Sequence, residues 1–415
     1  MIDIVATDRF DLVIAGAGPA GSTLALRLAR EGFTVALVEA QRFPRHKPCG
    51  EFMSPEALPI LSELGVLGDV RALGARELRG LRILRADRRA RGRYTDIGRA
   101  RAPFDHGFGV RREVFDAALL RAALATGGVE LLEGWRAERL LRGPGGAVQG
   151  LLARERGGAE RELRAALTIG ADGLRSRVAE ELGVRRPRAW LDRIALVTRL
   201  RGVELSDEAE AYLLDDGFFA AAPVDGGLLS LNLVVDRAAY LAAGLGPQAF
   251  LRQRIESVPA LRERLEGAEQ VEALRGIGPL SHTTTRKVFD GAALVGDACG
   301  YVDPITGEGI FLALRGAELL AGVLVHALHA RRADAAALRP YVRSRRRELW
   351  PRELLGLALQ RGLRHPRLVA AGLGLLSARP ALCDLLVSVT GDYVPLRELV
   401  RPGVWAQALA RPRLT

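Results

Sequence analysis

The residues whose type and spacing suit chemistry fall in a few short stretches, most of them built around glycine. Asp11-Leu12-Val13-Ile14-Ala15-Gly16-Ala17-Gly18-Pro19-Ala20-Gly21 is an apolar run that feeds Gly-x-Gly-x-x-Gly. In such a turn Gly16 permits the tight change from strand to helix and Gly18 lets a pyrophosphate approach the backbone. Gly21, with the small Ala20 beside it, lets helix and strand pack closely. The first turn of that helix offers unpaired N–H groups and the positive end of its dipole, which together make an anion site. Glu39 closes the next apolar run, where its carboxylate can accept both hydroxyls of an adenosine ribose.

Far downstream, Ala292-Ala293-Leu294-Val295-Gly296-Asp297-Ala298 ends a second buried strand on an aspartate, and Pro304 and Thr306-Gly307-Glu308-Gly309-Ile310 follow. Asp297 suits a ribityl hydroxyl. A helix beginning around Gly307, Gly309 and Ile310 would aim its N–H groups at the pyrimidine edge of a flavin, where negative charge collects on reduction. The upstream unit alone fits FAD or NAD, but a cofactor large enough to need both units is FAD.

These stretches need elements to hold them. Residues 10–15, 19–30 and 34–38 read as strand, helix and strand of one βαβ unit. Ser54 as N-cap and Pro55 at the first helical position predict a helix over 56–64, and a second helix is expected over 112–125. Alternation of apolar and charged residues over 77–101 predicts antiparallel strands with one wet face. Further strands are expected at 129–132 and 147–152. A separate antiparallel sheet is expected from 193–200, 210–214, 218–223 and 228–235, interrupted by an amphipathic helical segment over 238–266. The fold class is therefore α/β (α+β), with a Rossmann-like FAD-binding domain, a mostly antiparallel substrate sheet and a helical tail. Residues 1–76, 102–190 and 276–340 make the discontinuous FAD-binding domain, and 77–101 with 191–275 the substrate-binding domain. Residues 341–415 make the tail, broken at Pro366, Pro380 and Pro395.

A chain of 415 residues exceeds what one core supports, in keeping with two compact units. Every apolar run of spanning length is interrupted by Arg, Asp, Gly or Pro, and Met1-Ile2-Asp3-Ile4-Val5 lacks the pattern of a signal peptide, so a cytoplasmic location is expected. Cys49, Cys299 and Cys383 are too scattered for a disulfide framework, and the histidines show no ligand spacing, so no metal site is expected. The net charge of +11 comes almost wholly from arginine. With 5% aromatics and no basic stripe carrying stacking residues, nucleic acid is not an expected partner. The apolar stretch from Leu368 to Val389, flanked by arginines, leaves three readings open: closure of a lipid-like tunnel, a peripheral membrane contact, or plain packing. Nothing in the sequence fixes an oligomeric state.

At these motifs the chain resembles the FAD-dependent oxidoreductases built like p-hydroxybenzoate hydroxylase. Gly170-Ala171-Asp172-Gly173-Leu174-Arg175-Ser176-Arg177-Val178 is similar to that family's Asp-Gly segment, which implies a part for Asp172 in binding FAD and NAD(P)H. The arginine that ends the usual pattern is replaced by Ala179, which leaves the nicotinamide contact open. Arg112 matches a family arginine near the FAD pyrophosphate, or is a solvated residue at a helix start. Cys299-Gly300-Tyr301-Val302-Asp303-Pro304 after Asp297, and Arg45-His46-Lys47-Pro48-Cys49-Gly50-Glu51, resemble the geranylgeranyl reductase and flavin-dependent halogenase branches. The halogenase Trp-x-Trp-x-Ile-Pro element is missing, and the substrate half has no lysine to direct hypohalous acid.

The resemblance implies FAD, NADPH or NADH as electron donor, and a hydrophobic small-molecule substrate of prenyl, lipid or polyketide type. It places Cys49 near the flavin, where a thiol could orient substrate or give a proton; the alternative is a small residue beside a glycine turn. Glu51 and His46 are alternative proton donors. Phe218-Phe219-Ala220-Ala221-Ala222-Pro223 resembles the segment that passes over the flavin, so Phe218 and Phe219 are expected to line an apolar pocket or, singly, to be core residues. The favoured activity is reduction of a carbon–carbon double bond. The runner-up is a monooxygenase that hydroxylates or epoxidises an aromatic or polyketide product. Halogenation, or flavin binding without catalysis, stands further back.

Overall fold

The computed structural model describes residues 7–95 and 102–410; the expected strand segment at 96–101 and the first six residues lie outside these. The cofactor half is organised by a parallel sheet in the order Val129–Glu133, Val35–Glu39, Thr7–Ala15, Glu160–Gly170, Ala292–Leu294. Both faces of its central strand are buried, which is why Leu12 to Ala15 is apolar without alternation. Leu12 and Ile14 pack under the helices Pro19–Arg30, Arg112–Leu124 and Gly309–His329, while Val13 and Ala15 pack under the antiparallel strands Trp135–Arg142 and Val148–Glu155. The strand Trp135–Arg142 and most of Glu160–Gly170 were not expected, because their charged residues mask the period.

The helix Gly309–His329 is long and apolar enough to cross a membrane by length and composition, although Arg315, Gly316 and Gly322 interrupt it as expected. Over its most apolar 18 residues this 21-residue helix has a mean hydropathy of 1.7, and it carries Arg315 and Glu318 within it. Its apolarity is explained by packing, since Ile310, Leu314, Ala317, Leu320 and Leu324 are buried in the core against Pro19–Arg30.

The second sheet has eight strands. Its main path runs Glu269–Gln270, Arg193–Arg201, Leu228–Asp236, Gly217–Val224, Ala209–Leu213, Gly80–Arg85, Arg88–Arg93, and Arg275–Ile277 also pairs with Arg193–Arg201. All its pairings are antiparallel except that of Ala209–Leu213 with Gly80–Arg85. Leu196, Tyr212, Phe219, Leu231 and Leu233 face the helices Arg237–Ala242, Pro247–Glu256 and Pro259–Arg264. The opposite face looks toward the cofactor half. In the tail, prolines open the helices Pro366–Ala378 and Pro380–Thr390 at N-terminal positions where their missing N–H costs nothing. The second of these packs on Arg88–Arg93, and Asp384 accepts the Arg93 backbone N–H at 2.8 Å.

Candidate active site

The first glycine turn is held by backbone contacts that leave no room for a side chain. Gly16 has φ +98°, and a Cβ there would lie 2.5 Å from the Ala171 carbonyl oxygen; a Cβ on Gly21 would lie 1.8 Å from the Gly16 carbonyl oxygen. The helix Pro19–Arg30 starts from Gly18, which brings no capping side chain, so its first-turn N–H groups remain available to a ligand. Gly296 packs onto this helix, its Cβ position 2.9 Å from the Ala20 side chain. The two glycine motifs therefore share one wall of a solvent-connected cavity of about 220 Å³, lined by Gly18, Ala20, Gly296, Asp297, Pro304, Gly307, Gly309 and Ile310 among others. Gly307 has φ +71°, and a Cβ on it would lie 2.6 Å from the Phe52 ring.

Three cations gather at this cradle, and two of them, Arg45 and Lys47, were missed by reading the sequence for glycines and thiols. The Arg45 guanidinium lies 3.4 Å from the Cβ position of Gly18 and 3.2 Å from Asp116. Arg112 is bound by Asp116 through Nε and Nη2, each at 2.8 Å, and lines the cavity, so it is not a solvated helix-start residue. Lys47 Nζ lies 4.0 Å from Asp297, and burial, then the charge of Arg112, hold its ammonium below the usual lysine range. Three cations against the carboxylates Asp116 and Asp297, beside a helix N-terminus, fit a diphosphate. Glu39 stands at the glycine turn: Oε2 accepts the Ala17 N–H at 3.0 Å and Oε1 the Gln41 N–H at 3.1 Å. Oε2 also lies 3.4 Å from Arg45 Nε, which leaves Oε1 with the freer lone pair for a ribose hydroxyl.

Other expected residues have different tasks. The Asp172 carboxylate accepts Ser176 Oγ at 2.5 Å and the N–H groups of Arg177 at 2.7 Å and Val178 at 3.1 Å. It organises the start of the short helix Arg177–Glu181, and its neighbours Ala171 and Gly173 line the cavity instead. Glu51, expected as an alternative proton donor, lines the cavity but is 1% exposed, with its carboxylate held by Arg199 and by the Arg112 N–H at 3.1 Å. His46 pairs with Glu272 at 3.0 Å, and burial, then Arg199, depress its pKa. Cys49 does line the cavity. Its Sγ accepts the Glu51 N–H at 3.4 Å, and the Arg112 guanidinium is its neighbour.

The facing wall comes from the second sheet. Alternate residues of a strand point to opposite faces, so Phe218 lines the cavity while Phe219 is buried behind the sheet with Leu196, Tyr212 and Phe250. Cross-strand register sets Ala211, Ala220, Asn232 and Val197 in one row of this face, with Phe218, Val234 and Ala195 in the next. Two buried arginines fasten the strand Arg193–Arg201 to its surroundings. Arg193 reaches Asp236 at 3.0 Å and Gln360 of the tail at 2.6 Å, beside Asp303, whose carboxyl burial pushes up to about 7. Arg199 reaches Glu51, Glu113 and Glu272. Tyr94 and the tail residues Val387, Thr390 and Gly391 also line the cavity, so the tail closes part of it.

The model of the family described as FAD binding domain matches residues 9–352, a span that contains both glycine motifs and the whole of the second sheet's main strands. The chain belongs to this FAD-binding family. It is a flavoprotein and an FAD-dependent oxidoreductase, with distant relatives named both as geranylgeranyl reductases and as flavin-dependent halogenases. It is 30% identical to a digeranylgeranylglycerophospholipid reductase of Methanothrix thermoacetophila, over 76% of this chain and 78% of that one. It is 25% identical to a 1H-pyrrole-2-carbonyl-[peptidyl-carrier protein] chlorinase of Pseudomonas fluorescens, over 77% and 76%. Among solved structures, the myxobacterial chondrochloren halogenase superposes with a TM-score of 0.79 at 25% identity, covering 98% of each chain. A flavin-dependent brominase superposes with a TM-score of 0.81 at 21% identity, over 97% and 98%, a likeness of fold.

Proposed function

We propose that this FAD-dependent oxidoreductase reduces a carbon–carbon double bond in an extended, largely apolar small molecule of prenyl or lipid type, with NADPH or NADH as electron donor. The observation that carries this reading is the wall opposite the cofactor cradle. Ala195, Val197, Ala211, Ala220 and Val234 make a floor of small apolar side chains, which leaves room for a chain or ring and little to solvate a charge. Bound FAD supplies the two-electron redox chemistry. The protein's own part is to exclude water, to align the substrate along the floor, and to deliver a proton.

Cys49 lines the cavity on the cofactor side and is the thiol suited to that proton transfer. Tyr301 also lines it, with a phenol that burial, then Asp297, keep protonated. The lysine of the cavity, Lys47, lies by Asp297 on the cofactor wall, which does not suit a group that directs an electrophilic halogen onto substrate. The relatives named as geranylgeranyl and digeranylgeranylglycerophospholipid reductases support the substrate class.

Turnover without oxygen tests the reading. The FAD-loaded protein, given NADPH or NADH and the uncharged prenyl alcohol geranylgeraniol under anaerobic conditions, is expected to yield product richer by two hydrogens per bond. Product that forms only with O2 overturns it in favour of hydroxylation, epoxidation or halogenation. Cys49→Ser is expected to keep its FAD and lower kcat roughly 100-fold, the scale of general acid catalysis. An unchanged kcat assigns Cys49 to packing.

A further inference from the structure

Asn232 is out of keeping with its surroundings. It sits at the centre of the strand Leu228–Asp236, paired across to Val197 on one side and Ala220 on the other, on the face that lines the cavity. Its neighbours on that face, Ala195, Val197, Phe218, Ala220 and Val234, are apolar apart from Ser230 and Arg199, and the Arg199 guanidinium is taken up by Glu51, Glu113 and Glu272. The side chain is buried, 3% exposed. Nδ2 donates to Ser230 Oγ at 3.3 Å and is directed at the Ala220 carbonyl oxygen at 3.5 Å, a group that can only accept. This orients the amide, since the reverse orientation would set two carbonyl oxygens against each other. Oδ1 is then left with no hydrogen-bond partner among the described residues.

A buried carbonyl oxygen without a donor is unfavourable, and a valine or alanine, as at the flanking positions, would satisfy the packing without that penalty. We propose that Asn232 Oδ1 is a substrate-recognition group that accepts a hydrogen bond from a hydroxyl or amide N–H of the substrate. The inference rests on the reading of the cavity as the site of an extended apolar substrate and sharpens it. The substrate is an amphiphile with one donor group set against the sheet, and an acceptor-only group such as an ether or ester at that point is disfavoured. Asn232 acts by positioning and takes no part in the redox step.

Equilibrium dialysis of the FAD-loaded protein against two matched probes, geranylgeraniol and geranylgeranyl methyl ether, tests this. One net hydrogen bond predicts that the alcohol binds roughly three- to tenfold tighter than the ether. Asn232→Leu, close in volume and without an acceptor, is expected to remove that preference while FAD content stays at the parent level. Asn232→Asp, which keeps an acceptor in place, is expected to retain it. Equal binding of both probes by the parent protein overturns the role of Asn232 and leaves the apolar-substrate reading standing. Binding of neither probe overturns that reading and this inference with it. The comparison within the parent protein holds even if the leucine variant does not fold. A leucine variant that folds and still prefers the alcohol moves the recognition elsewhere and refutes the proposal.

Discussion

Gly21→Ala is expected to yield protein that purifies with less than about a tenth of the parent's FAD. A methyl group at Gly21 would lie 1.8 Å from the Gly16 carbonyl oxygen, and both atoms belong to backbone that cannot rotate away. The helix Pro19–Arg30 would have to back off its strand by more than an ångström. Its first-turn N–H groups and Ala20 would move with it, and Ala20 is where the second glycine motif, through Gly296, leans on the first. A displaced helix N-terminus loses the dipole and the donors that hold a pyrophosphate. Because FAD binds only the folded chain, the thermal midpoint should fall as well. Flavin absorbance per protein checks the first effect. Gly322→Ala is the control: this exposed position of the helix Gly309–His329 meets nothing within 4 Å, so alanine there should keep FAD and add up to about 1 kcal/mol of helix stability. Stoichiometric FAD in Gly21→Ala would show that the turn tolerates what its geometry forbids.

That such a prediction can be made reflects what a sequence carries well. The demands on Gly16 and Gly21 are local, set by a turn and one close approach, and they are written in residues a few positions apart. The four central strands of the second sheet were legible for the same reason, since a period of two survives in any window of eight residues. What failed was orientation and partnership. Both Phe218 and Phe219 fit an apolar strand, but only the register with Leu228–Asp236 decides that Phe218 meets the cavity. Asp172 stands in a recognisable loop, yet the loop turns its carboxylate onto its own backbone. The tail's share in the cavity depends on Pro380–Thr390 folding back onto Arg88–Arg93, a contact between segments with no common pattern. Arg45 and Lys47 were in view beside Cys49, but among 60 basic residues a cation carries no mark of its role.

Arg199 is the extreme case, and its removal should be the most damaging change to stability outside the glycine turn. It is 1% exposed in the middle of the protein, bound to Glu51 through Nε at 3.0 Å, to Glu113 through Nη1 at 2.6 Å and Nη2 at 2.7 Å, and to Glu272. These carboxylates come from three distant segments, so one guanidinium ties the second sheet to the helix Arg112–Leu124 and to the loop that carries Cys49. Arg199→Met keeps much of the volume and leaves Glu51 buried with little but the Arg112 N–H. Breaking a buried pair in this way costs about 3–5 kcal/mol, more than the pair itself contributes, because a charge is stranded. The pH dependence has a definite sign. Burial pushes the Glu113 carboxyl up, but Arg199 outweighs it and leaves the pKa net below the usual value, so in the parent this stabilisation is present above the ordinary glutamate range and is lost as pH falls through the lowered pKa. In the variant the stranded carboxylates hold protons more tightly than in the unfolded chain, so its deficit should be largest near pH 8 and shrink toward pH 5. Adding Glu51→Gln to Arg199→Met should restore part of the loss, since it removes the stranded charge while Glu51→Gln alone breaks the pair. Denaturation midpoints of the four proteins at both pH values measure the coupling. Additive losses, or a deficit equal at both pH values, would mean that Arg199 fills space and does not neutralise its neighbours. The strongly non-additive result would identify this ion cluster as what holds Glu51 in place, and therefore the thiol two residues before it, against the cavity.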